Sequence, residues 1–170
     1  QGHVTLGNLS SYEIKKRVHE TIRKFKLSEV AYTNPGMISE SRFTDFQLSC
    51  YRIAIEMIRN PYVLFLDEPM ARLSYSDSRR LLSILKEETY SGKLIIISSQ
   101  FPAAELFNMF DKIWYIDNDA HIIYSGDPSG SLSFFKDSGL FPYYVIQNRS
   151  EMVSPEDVIK IVETKKIDTK

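Results

Sequence analysis

The sequence has a single cysteine, Cys50, among its 170 residues. One cysteine excludes an internal disulfide and suits a reducing compartment, so we expect Cys50 to fill a small core position. The apolar runs are far shorter than the roughly 20 residues that cross a bilayer, and no signal peptide is visible. Basic and acidic residues are interspersed and nearly balanced, 21 against 22, which argues against nucleic acid as a partner.

The first three residues, Gln1-Gly2-His3, match the short sequence that remains after a tag is removed by a protease that cuts before glycine. We therefore leave residues 1–3 out of the fold and do not count His3 as a metal ligand. The other histidines, His19 and His121, accompany neither a nucleophile elbow nor a zinc-binding cysteine pattern. The remaining length suits one globular domain with a substantial core.

The segment Val63–Pro69 carries the most informative pattern, four apolar residues followed by two carboxylates and a proline. A continuous apolar run of this length is typical of a strand buried in a parallel sheet. Such a strand can place Asp67 on a metal ion and Glu68 beside an attacking water. A core strand followed by an acidic turn is the alternative.

Periodicity and capping signals predict the surrounding elements. A capping box at Ser10 and Glu13 begins an amphipathic helix, and a largely buried helix runs from about Gln47 to Arg59. The later elements are a helix at about Asp77–Tyr90, a strand Leu94–Ile97, a short helix opened by Pro102, a β-hairpin of Lys112–Asp117 and His121–Ser125, a short helix around Leu132–Lys136 and a last helix capped by Ser154. The alternation of strands and helices indicates a parallel α/β sheet, and the leading helices look like a separate lobe.

Taken together, these residues resemble the nucleotide-binding domain of ABC transporters, in particular that of the G-type (White) subfamily. The resemblance runs from about Ser10 to Phe135. Its anchors are the helix ending in Arg59-Asn60-Pro61, the strand with Asp67-Glu68-Pro69, and the later segments Pro102–Phe107, Phe110–Lys112 and Ile122–Gly126.

The resemblance implies a partial P-loop NTPase fold of the ABC ATPase kind, with a parallel sheet flanked by helices, a helical lobe and a C-terminal β-hairpin. It also implies that Asp67 helps to hold Mg²⁺ through water, and that Glu68 polarises the water that attacks the γ-phosphate of ATP. The implied partners are a second nucleotide-binding domain, which faces the first head to tail, and a transmembrane transport domain. The implied location is the cytoplasmic side of the membrane.

The expected organisation follows from the same resemblance. After the tag remnant at residues 1–3, residues 4–60 form the helical subdomain and the signature region. Residues 61–138 form the half of the ATPase core that runs from the Walker B strand to the hairpin, and residues 139–170 form a C-terminal extension.

The sequence departs from the family first by an absence, since it contains no Gly-x-x-x-x-Gly-Lys-Ser/Thr segment. Such a P-loop cradles phosphates with backbone N–H groups, which glycine allows to approach closely. We interpret the chain as the later part of a domain whose P-loop lies upstream; a family member without a P-loop is the alternative. We expect ATP and Mg²⁺ as cofactors of the full-length protein only, and no hydrolysis by this chain alone.

The signature motif is degenerate as well. Its position falls at residues 43–47, where Thr44 keeps a hydroxyl and Gln47 keeps an amide, but both glycines of the family are gone. We expect Phe46 to obstruct the approach of the helix N-terminus to a phosphate, and Asp45 to repel the phosphate unless it is simply the helix cap.

Two further positions differ from the family. Gln100 replaces the switch histidine, and its amide can donate to a γ-phosphate oxygen but cannot carry a proton charge. Ser74 stands where the D-loop aspartate is usual, and we expect Asp77 to cap the next helix.

Two hypotheses about function stay open. In the first, the protein is an ABC transporter ATPase with Glu68 and Gln100 as catalytic residues, Asp67 as the Mg²⁺ partner, and Thr44 and Gln47 on the ATP of the opposite domain. In the second, it is a catalytically degenerate ABC-like module with a regulatory or dimerisation role.

Overall fold

A computed structural model describes residues 9–33, 43–100, 104–137 and 158. The chain divides into two compact units, Gln1–Ser99 and Gln100–Lys170. The first holds helix α1 (Ser11–Lys24), a 3₁₀ turn (Ser28–Val30), helix α2 (Asp45–Met57), strand β1 (Val63–Asp67), helix α3 (Tyr75–Thr89) and strand β2 (Leu94–Ser98). The second holds a 3₁₀ helix (Ala104–Met109), strands β3 (Ile113–Ile116) and β4 (Ile122–Gly126), and helix α4 (Pro128–Asp137).

Some expectations have no counterpart in this description. The predicted helix capped by Ser154 and the proline expected to open the 3₁₀ helix, Pro102, lie outside the described residues. No helix of the described ranges is long and apolar enough to cross a membrane. The division at residues 60/61 and 138/139 stays a prediction.

Helix α1 begins with the predicted capping box. Ser10 Oγ accepts the Glu13 N–H at 3.2 Å, and Glu13 Oε2 accepts the Ser10 N–H at 2.7 Å. The hydrogen bonds from Ser10 favour the carboxylate and lower the pKa of Glu13. Two N–H groups that an isolated helix end would expose are thereby satisfied.

Two other helix starts differ from the sequence-based expectation. Thr44 caps α2 where Asp45 was a candidate, and Ser74 caps α3 where Asp77 was expected. In both cases a hydroxyl accepts from the backbone at the cap, and the aspartate lies within the first turn. A carboxylate in the first turn is favoured by the positive end of the helix dipole.

Helix α2 is the buried helix that the sequence predicts. Cys50 lies on its inner face with no exposed surface, which confirms its expected role in the core. Burial raises the pKa of the Cys50 thiol to about 11. The group is therefore a neutral thiol at physiological pH, and its position is explained by packing.

A buried carboxylate, Glu88, links α1 and α3 to the start of β2. Its side chain is 5% exposed, and Lys24 Nζ donates to its Oε1. Lys93 Nζ lies 3.9 Å from Oε2 and also donates to Asn60 Oδ1 at 2.7 Å. Because a buried charge is costly unless it is paired, these contacts keep the C-terminal ends of α1 and α3 together at the sheet.

Strands β1 and β2 form the predicted parallel pair, with Val63 opposite Leu94 and Asp67 opposite Ser98. Helix α3 lies between them in the chain and makes the connection that a parallel pair needs. Both strands end at the same edge of the sheet, so the residues at their carboxyl ends become neighbours.

The prediction that β1 is a buried strand is wrong for one of its two faces, in the part of the chain that the structure describes. Leu64 is 7% exposed, whereas Phe65, on the opposite face, is 73% exposed. Val63 and Leu94 share the face of Phe65 and are exposed too. A parallel sheet is normally covered by helices on both faces, and among the described residues only the face of Leu64 is covered.

Leu64→Ala is expected to lower the free energy of unfolding by about 2–5 kcal/mol, because it leaves a cavity under the sheet. Phe65→Ala removes a larger side chain that is mostly exposed, so its expected cost is below about 1 kcal/mol. Urea denaturation followed by far-UV circular dichroism measures both values. A larger loss for Phe65→Ala than for Leu64→Ala would contradict the observed burial.

In the second unit, β3 and β4 form the predicted β-hairpin, with Tyr115 opposite Tyr124 and an irregularity after Tyr115. Tyr115 meets Phe135 of α4 edge to face, with ring centroids 5.1 Å apart. Burial raises the pKa of Tyr115 to about 12. The core of this unit contains Phe107, Tyr115, Phe135 and Val158.

Helix α4 starts at Pro128, one turn earlier than the expected Leu132. Asp127 Oδ1 accepts the Gly130 N–H at 2.8 Å and the Ser129 hydroxyl. These bonds lower the pKa of Asp127, the one from Ser129 most. Pro128 takes the first helical position, where a missing N–H costs nothing.

The turn between β3 and β4 is organised by Asp117. Its Oδ1 accepts the N–H groups of Asp119 at 3.0 Å and of His121 at 2.8 Å. The His121 Nδ1 atom lies 3.4 Å from the other carboxylate oxygen, Oδ2. The bond from the His121 backbone, with the other contacts, lowers the pKa of Asp117 below its usual 3.8.

Asp117→Asn is expected to destabilise the protein most above about pH 4, where the unfolded carboxyl is ionised. A carboxyl with a depressed folded pKa stabilises the fold above its unfolded pKa, and this contribution is lost as pH falls through the folded pKa. The free energy of unfolding, measured from about pH 2 to pH 7, gives the profile. Asp119→Asn is the control, because the Asp119 backbone N–H stays in place. A penalty for Asp117→Asn that stays constant down to the lowest pH would contradict the prediction.

Candidate functional site

The carboxyl ends of β1 and β2 bring three polar groups together. Ser98 Oγ donates to Asp67 Oδ1, and the Glu68 N–H donates to Ser98 Oγ at 3.1 Å. Ser98 thus connects the carboxylate of Asp67 to the backbone of Glu68. No local motif in the sequence marks Ser98, because its place opposite Asp67 follows from the strand register.

The backbone of Glu68 is in the left-handed region, with φ 45. This conformation is uncommon for residues other than glycine and is found preferentially at functional sites. Neighbouring contacts hold the chain here: the Glu68 carbonyl accepts the Ala71 N–H at 3.2 Å, and the Pro69 carbonyl accepts from Ser49 Oγ at 2.6 Å. The sharp corner after β1 is therefore fixed from both strand and helix.

An open cleft of about 270 Å³ lies between the first half of α2 and the segment after β1. Glu68 and Asp45 both line this cleft, so the predicted catalytic carboxylate and the signature region border the same space. Arg52 and Arg72 also line it and give its wall two guanidinium groups beside the two carboxylates. Neither arginine was predicted as a site residue, since exposed arginines on a helix and in a loop carry no sequence pattern of their own.

Thr44 and Gln47, predicted to contact a phosphate, are hydrogen-bonded to each other. Thr44 Oγ1 accepts the Gln47 N–H at 3.1 Å, and Gln47 Oε1 accepts the Thr44 N–H at 3.0 Å. This capping box occupies two of the N–H groups that a helix N-terminus offers to an anion. The role of both residues in ATP binding stays a prediction.

The prediction that Phe46 obstructs this helix end is wrong. Phe46 is 5% exposed and packs inward, with the Arg80 guanidinium 4.6 Å from its ring centroid. The helix was expected from about Gln47 but begins at Asp45, so Phe46 lies one turn before Cys50 on the buried face. Asp45 is exposed, and its negative charge stays at the helix end.

The two remaining positions that differ from the family are Ser74 and Gln100. Ser74 Oγ accepts the Asp77 N–H at 3.2 Å and donates to Asp77 Oδ2 at 2.9 Å, so it serves as the cap of α3. Gln100 is exposed and is the first residue of the second unit. The described contacts therefore join Asp67 and Glu68 through Ser98, and the role of Gln100 stays a prediction.

No family model matches the chain, but curated proteins do. ABC transporter G family member 5 of Oryza sativa subsp. japonica is 29% identical over 163 residues, which are 96% of this chain and 20% of that protein. ATP-binding cassette sub-family G member 5 of Homo sapiens is 28% identical over 133 residues, 78% of this chain and 20% of that protein. The chain is related to the nucleotide-binding domains of G-family ABC transporters.

Solved ABC structures share the fold. CbiO1 from Clostridium perfringens, part of the ABC transporter complex CbiONQ, has a TM-score of 0.62 and 21% identity, and the match covers 81% of this chain and 53% of that one. The ATP-binding cassette MJ1267 in its ADP conformation has a TM-score of 0.57 and 20% identity, with 70% and 44% covered. The predicted fold class, part of the α/β fold of ABC ATPase domains, is confirmed.

The chain spans only part of the length of the curated relatives it matches, 19–20% in the cases of bovine ABCG2 and the two G-family members above. The predicted resemblance to G-family ABC transporters is confirmed over this segment.

Thr44→Ala is expected to lower the free energy of unfolding by about 1 kcal/mol, because α2 loses its N-cap. Thr44→Ser keeps the hydroxyl and is expected to retain most of the stability. Thermal unfolding of both variants beside the wild type provides the measurement. Equal losses for alanine and serine would show that the hydroxyl does not stabilise α2.

Proposed function

We propose that this chain is part of the ATP-binding domain of a G-family ABC transporter that couples ATP hydrolysis to transport across a membrane. The proposal rests on the hydrogen-bonded group of Asp67, Glu68 and Ser98, called the acidic corner, at the carboxyl ends of β1 and β2. It rests also on the similarity of this chain to these transporters. Open α/β sheets bind their ligands beyond the carboxyl ends of the strands, which is where this corner lies.

The corner fits a hydrated Mg²⁺ ion. Asp67 is exposed and offers a carboxylate oxygen, the type of ligand that Mg²⁺ prefers. Mg²⁺ keeps several waters and takes one or two carboxylates together with substrate phosphates, so one aspartate is sufficient here. When bound, the ion neutralises charge that develops on the phosphates of ATP.

Glu68 orients the attacking water in this proposal and accepts its proton. The Glu68 main chain is fixed at the sheet edge, and the residue also lines the cleft beside α2. A fixed base contributes to phosphoryl transfer chiefly by positioning the water in line with the leaving group. Gln100 donates its amide N–H to a γ-phosphate oxygen.

No P-loop occurs in the sequence. The proposal therefore requires a phosphate-binding loop from outside this chain, and the chain by itself is expected to hydrolyse no ATP.

The proposed partners are a second nucleotide-binding domain and a transmembrane transport domain, with this domain on the cytoplasmic side. Support comes from the relatives, which are transporters by name, and this favours a transporter over a regulatory or dimerisation module. Thr44 and Gln47 would contact the ATP of the opposite domain. We expect that contact to be weak, because their N–H groups are already bonded and Asp45 adds a negative charge.

In the full-length protein, Glu68→Gln is expected to lower Mg²⁺-dependent ATP hydrolysis at least about 100-fold, because an amide cannot accept a proton from water. ATP binding is expected to persist. Phosphate release and binding of a fluorescent ATP analogue measure the two properties separately.

The matched control is Glu87→Gln, which removes an exposed carboxylate from α3. It is expected to hydrolyse ATP at the wild-type rate. Equal rates for the wild type and Glu68→Gln would refute the catalytic role of Glu68.

A further inference from the structure

We propose that Ser98 is a positioning residue that sets the geometry of both acidic residues, Asp67 and Glu68. The inference rests on the proposed ATP hydrolysis and deepens it. Its basis is a single hydroxyl that donates to Asp67 Oδ1 and accepts from the Glu68 N–H at 3.1 Å.

The two bonds determine how the hydroxyl is oriented. A serine hydroxyl has one proton to donate, and Ser98 gives it to Asp67. The lone pairs that remain face the Glu68 N–H. Neither bond can be kept by a residue that lacks a hydroxyl or an equivalent donor and acceptor, so alanine at position 98 removes both together.

The bond to Asp67 restrains the orientation of its carboxylate. Oδ1 accepts from Ser98, and the acceptor sites that remain on the carboxylate would hold the water of a hydrated Mg²⁺. Residues that orient a metal-binding group through hydrogen bonds affect metal affinity or activity by about 10–100-fold when they are removed. Ser98 stands in this relation to Asp67.

The bond to Glu68 acts on the main chain. The Glu68 backbone takes φ 45, a conformation that glutamate does not favour by itself. The bond restrains the peptide plane before the Glu68 Cα atom, and this plane together with φ 45 sets the direction in which the side chain leaves the backbone. Because Ser98 is held opposite Asp67 by the parallel register, this anchor has the rigidity of the sheet.

The test uses four variants of the full-length protein: Ser98→Ala, Ser98→Thr, Glu68→Gln and Ser83→Ala. Ser98→Ala is expected to lower kcat about 10–100-fold and to raise the Mg²⁺ concentration for half-maximal rate, with KM for ATP within about twofold. Ser98→Thr keeps the hydroxyl and suits a strand, so it is expected to restore both values. Ser83 lies on the exposed side of α3, where its hydroxyl donates to Arg79 O at 2.9 Å, and its variant is expected to match the wild type.

A second measurement does not depend on catalysis. Hydrogen exchange of the peptide that contains Glu68, followed by mass spectrometry, is expected to be faster in Ser98→Ala and normal in Ser98→Thr. An exchange rate that Ser98→Ala leaves unchanged would show that the bond to the Glu68 N–H is absent and would overturn the proposal.

The kinetic outcomes separate the two claims. If Glu68→Gln is inactive while Ser98→Ala keeps the wild-type kcat and Mg²⁺ dependence, the positioning role is overturned and the proposed function stands. If Ser98→Thr fails to restore an activity that Ser98→Ala has lost, the hydroxyl is not the cause and the positioning role is likewise overturned. If Glu68→Gln hydrolyses ATP at the wild-type rate, the proposed function itself is overturned, and the role of Ser98 with it.

Discussion

The parallel pairing of β1 with β2 is the constraint on which the candidate site depends. At the amino ends, Lys93 Nζ donates to Asn60 Oδ1, and at the carboxyl ends Ser98 Oγ donates to Asp67 Oδ1. Each of these side-chain bonds links the two strand regions, one at each end of the five paired positions of the sheet. A slip of one residue would exchange the two faces and would move Ser98 away from Asp67. The geometry of the acidic corner is thus a consequence of register.

The sequence predicts the elements well because their signals are local. A capping box lies within four residues, and a hairpin needs two alternating segments and a turn, so Ser10 with Glu13 and the pair of β3 and β4 are found where expected. The predicted burial of β1 is wrong for the face of Phe65, because the apolar run of the strand does not say which elements cover it. Phe46 was predicted to lie before the helix, but α2 begins two residues earlier than expected and includes it. Because each residue turns an α-helix by about 100°, Phe46 then lies on the same face as Cys50, which is buried.

Ser98 illustrates the limit of such reasoning for the site. Asp67 and Glu68 stand together after an apolar strand, and that pattern suggests a metal and a water. The hydroxyl that holds them comes from a strand 31 residues further along the chain, and serine is too common there to attract notice. Contacts of this range depend on how strands pair, which periodicity alone does not specify. The same holds for Arg52 and Arg72, which share a cleft with Glu68 only once α2 is packed beside the corner.

The nature of the contact at Asp67 has a chemical consequence. Asp67 is oriented by a neutral hydroxyl, whereas a lysine or arginine would orient it by an ion pair. A cationic partner would oppose the approach of a divalent metal, because the two positive charges would repel each other across the carboxylate. A hydroxyl fixes the geometry through a charge-assisted hydrogen bond and leaves the net negative charge of the carboxylate in place. The arrangement therefore combines a rigid position with an undiminished charge, and both are needed by a carboxylate that is to hold Mg²⁺ beside the phosphates of ATP.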